Sequence, residues 1–446
     1  MRHILASLLI ASAPLVYAPL AQAQSLNDTL ASAYASNPTL ASERKRLEQT
    51  AESMVQARAV ALPSISADGS ISDTEVWGGP SDGASASYGV SVSQIVYAGG
   101  LIRAGIDGAR AQYSAGIERL RSTEQSVFLS AISAHSDVVR DTQILSIRSN
   151  NVDLLAEQLR AAQDRFEVGE ITRTDVAQAE ARLSASRAQL SAAQATLAAS
   201  RAAYVRVTGI EAVNPERLEA AELQAQTYAD AVAFAVEGNP DLRAAQFGEI
   251  VADSNVALAR SSLRPNISLQ AGATETQDAD FSGNTSGGAS LTARVSIPLF
   301  TGGLNRSRVR VALAAADETR LGTVIAQRQI IEAASNAWNS YLAAQAVIES
   351  SREAVRANEI AFDGVEQEAF VGLRTTLDVL NAEQELLNSR LELARAERDL
   401  VVASYGLRQV TGSLHAEALG FSNAELLAQT DSRSEFFSGF DVTPWN

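Results

Sequence analysis

The chain has 446 residues and no Cys, and its 36 Lys+Arg against 52 Asp+Glu give a formal charge of −16. That balance argues against nucleic acid and anionic lipid surfaces as main partners, because both are held by clustered positive charge. Without Cys, an exported chain of this size is stapled by no disulfide and carries no lipid on an N-terminal Cys, so any membrane anchoring has to come from the fold.

Residues 1–23 read as a secretory signal: a basic start at Arg2, an apolar run from Ile4 to Leu20, and the small-residue cleavage site Ala21-Gln22-Ala23. Pro14 and Pro19 break the run, which argues against an uncleaved anchor helix. The mature chain is expected to start at Gln24. After it no run of about eighteen apolar residues follows, which rules out transmembrane helices but leaves transmembrane strands open.

The first unit is expected at 24–210. Ser25 to Leu62 reads as a helix broken at Asn37-Pro38, since Pro disfavours helix at the residue before it. At Pro63 the period changes: Ile65, Ala67, Gly69 and Ile71 alternate with serines and Asp68, giving one apolar and one polar face. Trp77 to Gly83 is a loop by composition, and Tyr88, Val90 and Val92 alternate again before Tyr97 and Gly99-Gly100. The spacing predicts a β-hairpin over about 64–97. From Gly100 a helical pattern runs without Pro to Val168, roughly 100 Å of helix at about 1.5 Å per residue. A tip follows at about 168–175, and a shorter Ala-rich helix runs from Thr172 to Val207.

The second unit, expected at 228–412, repeats this at an offset of about two hundred residues. Asn239-Pro240 restates Asn37-Pro38; Leu263-Arg264-Pro265-Asn266-Ile267-Ser268 restates Leu62-Pro63-Ser64-Ile65-Ser66; Leu299-Phe300-Thr301-Gly302-Gly303 restates Val96-Tyr97-Ala98-Gly99-Gly100. Val371-Gly372-Leu373-Arg374-Thr375-Thr376-Leu377-Asp378-Val379 restates Val168-Gly169-Glu170-Ile171-Thr172-Arg173-Thr174-Asp175-Val176, and Val410-Thr411-Gly412 restates Val207-Thr208-Gly209. The second hairpin is expected over about 266–300 and the second tip over about 371–378. The stretches 211–227 and 413–446 lie outside the repeat and are expected to form an equatorial segment and a C-terminal equatorial segment or tail. Four amphipathic strands cannot close a barrel across lipid, because open edges leave backbone groups unsatisfied, so such a barrel would be shared between protomers.

At the tips, Val168, Gly169, Val371, Gly372 and Leu373 read as helix-ending turn residues, with Thr or Asp opening the next helix. Arg374 and Asp378 stand four apart on an opening helical turn and suit a local ion pair. Nothing suggests an enzyme. Only His135 and His415 remain after the signal, with no metal-ligand spacing, and Gly99-Gly100 and Gly302-Gly303 lack phosphate-loop spacing and read as strand-to-helix bends. No cofactor or metal is expected, and His135 reads as a surface or packing residue.

The tandem repeat, the Pro-strand-loop-strand-aromatic-Gly-Gly hairpins and the paired Val-Gly tips together resemble the TolC-type outer-membrane efflux family, over essentially the whole mature chain. The resemblance implies a mainly α fold with a transmembrane β-barrel portion: a homotrimer whose twelve strands, four per protomer, form one barrel in the outer-membrane lipid, continued by a long α-helical barrel across the periplasm. It implies a channel for type I secretion or multidrug efflux, joined by a periplasmic adaptor protein to an inner-membrane ABC or proton-driven transporter. It also implies a gate at the tips, in which Arg374 with Thr174 and Asp175 holds the mouth shut and Asp378 and Asn381 line the constriction. Val168, Gly169, Val371, Gly372 and Leu373 would meet the adaptor. Two departures point to a less acidic constriction: Asn381 stands where the best-known member has a second acid, and Ala369 where it has a gate tyrosine. The alternative from another class is a soluble periplasmic coiled-coil structural or adaptor protein.

Overall fold

The computed structural model describes residues 24–74, 77–78, 83–278 and 285–416. The signal segment, most of the two hairpin loops and the tail beyond Ala416 lie outside the described residues.

The first unit opens with α1 (Leu26–Ser36) and α2 (Pro38–Ala59). Ser25 caps α1 in a reciprocal box with Asp28, and Asn37 caps α2 with Pro38 at its first position, so the expected break is a clean restart of the helix. Strands β1 (Ser64–Thr74) and β2 (Gly83–Ala98) follow, then α3 (Leu101–Glu167) and α4 (Arg173–Thr208). The second unit gives α5 (Tyr228–Gly238), α6 (Pro240–Ser261), β3 (Asn266–Asp278), β4 (Thr285–Ser296), α7 (Leu304–Phe370) and α8 (Thr376–Val410). Helices α3 and α7 are 67 residues each, rods of about 100 Å. Each starts at a glycine pair with positive φ, Gly99 and Gly100 or Gly302 and Gly303, which turns the chain from strand into helix.

The two hairpins form one antiparallel sheet in the order β1-β2-β3-β4. Cross-strand registers keep the faces separate. On one face Ser66 pairs with Ser91, Ser70 with Ser87 and Ser72 with Ser85, their hydroxyls bonded at 2.9, 2.8 and 3.2 Å. On the other face Ile65 stands opposite Val92, Ala67 opposite Val90, Ala271 opposite Leu291 and Ile267 opposite Val295. This apolar face is open: Ile71 is 80% exposed and Leu291 78%. Among the described residues β1 pairs only with β2, and β4 only with β3, so both outer edges carry unpaired backbone groups.

The core lies at the middle of the rods. Leu30 and Ala33 of α1, Phe128, Ala131 and Ile132 of α3, Val207 of α4, Val401 and Tyr405 of α8, and Leu414 beyond it form one cluster. Burying a side chain such as Phe128, fully enclosed here, contributes about 1.5–3 kcal/mol. The stretch after α4 packs across this waist: Gln24 bonds the backbone of Asn214, and Ala221 N–H donates to Ser404 Oγ at 2.8 Å. His135 is fully buried here. Its ring bonds Thr29 Oγ1 at 2.9 Å and the Glu216 carbonyl at 2.7 Å, and burial holds it below its usual pKa and neutral. It is a packing residue; its second partner comes from the segment between the repeats, which helical periodicity does not register.

Candidate functional site: the paired helical tips

Both hairpin tips are built alike. At the first, Gly169 takes φ +82, and Glu170 N–H reaches back to the Arg165 carbonyl at 2.9 Å. At the second, Gly372 takes φ +79, and Leu373 N–H reaches back to the Glu368 carbonyl at 2.9 Å. These are left-handed glycine endings that satisfy the last carbonyls of α3 and α7. Thr172 and Thr375 then cap α4 and α8 in reciprocal boxes with Asp175 and Asp378. The Thr172 hydroxyl and then its N–H hold Asp175 below the usual carboxylate range; for Asp378 the Thr375 N–H leads and the hydroxyl follows.

Arg374 donates to Glu368 Oε2 at 2.8 Å, across the turn rather than four residues forward to Asp378. The first tip has the same brace with reversed polarity, Arg165 to Glu170 at 3.1 Å. Asp378 is committed to its cap, which is why the i,i+4 pair read from spacing is not the bond formed. Among the described residues no hydrogen bond or ion pair joins Arg374 to Asp175 within the protomer. Thr174 is exposed. The turns present apolar groups to solvent: Val168 is 72%, Val371 66% and Leu373 75% exposed.

Behind the tips, polar bonds do join the two hairpins. Arg182 of α4 donates to Asn381 Oδ1 of α8 at 3.1 Å. Behind it Leu155, Leu183 and Leu380 pack together, so α3, α4 and α8 meet in one apolar cluster. Next comes a buried polar set. Ser186 Oγ donates to Asn151 Oδ1 at 2.8 Å, and Asn151 Nδ2 donates to Glu383 Oε1 at 2.7 Å. Glu383 was missed in the sequence because Ala382-Glu383-Gln384-Glu385 reads as a solvated helix face. Its spacing from Leu380, Leu386 and Leu387, three and four residues away, puts it on the buried stripe and could have found it.

The sequence profile of the outer membrane efflux proteins matches residues 29–209 and 231–413, which fall on the two repeats. The chain belongs to that family. It is 32% identical over 432 residues to the outer membrane efflux protein BepC of Brucella suis, covering 95% of this chain and 93% of BepC. It is 27% identical to the outer membrane protein TolC of Vibrio cholerae, covering 91% of this chain and 94% of TolC. Among solved structures it superposes on the channel protein CusC with a TM-score of 0.78 at 17% identity, covering 87% of this chain and 92% of CusC. The protein is therefore an outer-membrane channel component of an export system, with the mainly helical fold and transmembrane β portion that the sequence implied. No described helix is long and apolar enough to cross a membrane. The reading as a soluble periplasmic coiled-coil protein is set aside.

Proposed function

We propose that this protein works as a passive trimeric conduit, gated at its tips, in a tripartite system for type I protein secretion or multidrug efflux. The observation that carries the reading is a sheet with an exposed apolar face and two unpaired edges, set on helical rods that end in two like tips. An edge left open in lipid costs several kcal/mol per unsatisfied group, so neighbouring protomers supply the missing strands and three protomers make twelve. Serines facing inward line a wet lumen and the apolar face meets outer-membrane lipid.

The exposed Val168, Val371 and Leu373, with the turn glycines Gly169 and Gly372, form the end that meets the helical hairpin of a periplasmic adaptor. An inner-membrane ABC or proton-driven transporter then chooses the cargo. The family is one of channels, and no catalytic residue is proposed for this chain.

Within the trimer, Arg374 latches onto Thr174 and Asp175 of a neighbouring protomer, and Asp378 and Asn381 line the constriction. Since Arg374 holds Glu368 within its own chain and Asp175 is bound by the Thr172 cap, the latch competes with bonds on both sides and is an easily opened one. Replacing Arg374 and Asp175 together raises single-channel conductance in planar bilayers severalfold. A conductance equal to wild type overturns the latch.

A further inference from the structure

The polar set Ser186, Asn151 and Glu383 lies one helical turn behind the Arg182–Asn381 bond, where α8 leans on α3 and α4. Only one oxygen of Glu383 is satisfied. Its Oε2 is out of contact with solvent and, among the described residues, has no hydrogen-bond partner. A cavity of about 340 Å³ opens beside it between α3, α7 and α8. The charged groups around it leave it poorly compensated. From α7, Glu366 acts on it unfavourably, and Glu359 and Asp363 line the cavity. From α4, Arg182 acts favourably across a distance, its own bond going to Asn381. From α8, Arg390 lines the cavity but pairs with Glu359 at 2.8 Å. From α3 come only the neutral Asn150 and Asn151. A cation seated in the cavity does not resolve the problem, because Oε2 is closed even to water.

A carboxyl so placed is compatible with close packing only when neutral. We propose that Glu383 couples the closure of the tip to periplasmic pH: protonated, it stays buried and keeps α8 on α3 and α4; ionised, it favours an arrangement in which α8 moves away and the carboxylate is hydrated. This rests on the gated-conduit reading and adds its regulation. Burial is the main cause that pushes Glu383 up to about 7, opposed by the Asn151 hydrogen bond and Arg182. In the separated arrangement the carboxyl is hydrated and titrates near its ordinary 4.5. Since the packed state has the raised pKa, packing is most favourable at low pH, weakens as pH rises above about 4.5, and reaches its weakest value above about 7. Across that window the ratio of separated to packed arrangements in each protomer rises by up to about tenfold per pH unit.

The test is single-channel recording of the wild-type trimer and the variants E383Q and E383D in planar bilayers, from about pH 5 to about pH 8. Wild type opens more with rising pH and levels off near 7; E383Q, neutral throughout, stays at the low-pH value with a flat profile; E383D keeps a slope with a shifted midpoint. A wild-type slope that survives unchanged in E383Q overturns the proposal while leaving the conduit intact. Absence of any conductance, in wild type at every pH and voltage, overturns the conduit reading instead. Should E383Q fail to assemble, infrared titration of isotope-labelled Glu in the wild-type trimer decides. A protonated-carboxyl band that disappears near pH 7 supports the proposal, and one that is gone by about pH 5 overturns it.

Discussion

Asn37 shows how much one side chain does in this fold. Its Oδ1 accepts from Thr39 N–H at 2.9 Å to cap α2, while its Nδ2 donates to the Val207 carbonyl at 3.0 Å near the end of α4. Asn239 repeats both bonds with Asp241 N–H at 2.9 Å and the Val410 carbonyl at 3.1 Å. Two pairs of landmarks that stood far apart in the sequence, Asn-Pro and Val-Thr-Gly, are therefore one joint made twice. Replacing Asn37 by Ala removes a cap and leaves a buried carbonyl short of a donor, a loss of about 2–3 kcal/mol. N37A and N239A are each expected to unfold several degrees earlier than wild type in detergent, by circular dichroism; an unshifted midpoint in both refutes the joint. The helix breaks and the tip caps were legible because Pro, Thr, Asp and Gly act through backbone geometry that local sequence fixes. Glu383 and His135 were not, because their burial depends on which helix crosses over them, and spacing within one helix carries no record of its partner.

Between α4 and α8, packing and polar contact differ in weight. The Leu155, Leu183 and Leu380 cluster holds three helices together, and truncating a buried Leu costs about 2–5 kcal/mol. The exposed Arg182–Asn381 bond contributes at most about 1 kcal/mol. Hydrogen exchange of the amides around 168–185 is therefore expected to quicken by more than tenfold in L380A and by only a few-fold in R182A. Equal effects would mean that the polar bond, not the apolar cluster, sets the local opening free energy. The elements themselves were largely readable. Pro63 and Pro265 mark where the helical period gives way to alternation, and Gly169 and Gly372 mark the turns. The direction of the Arg374 brace was not readable, since Asp378 could serve either the arginine or the cap and only the folded turn shows that the cap takes it.

For the whole molecule, the repeat specifies how protomers join. Inside one chain, β2 of the first unit pairs with β3 of the second, with Val90 opposite Ala273. If protomers close the barrel with the same geometry, β4 pairs with β1 of the next chain. By the repeat, Ala293 stands where β2 has Val90, and Ile71 stands where β3 has Ala273. Ala293 of one protomer is thus placed opposite Ile71 of its neighbour. The helices tell the same story: α3 packs on α6, while α7 shows an open apolar side, with Val311 67% and Leu321 65% exposed, for the neighbour's α2 to cover. The chain has no Cys, so the double variant I71C/A293C tests this without background. Within a protomer the two positions are three strands apart and about eight residues out of register, roughly 30 Å, well beyond disulfide reach. Oxidation in the outer membrane is expected to give covalent dimers and trimers on denaturing gels, and neither single variant should give trimers. Cross-linking that instead peaks with Cys two residues along β1 would keep the shared barrel but refute the register; no cross-link at any β1 position would refute the shared edge itself.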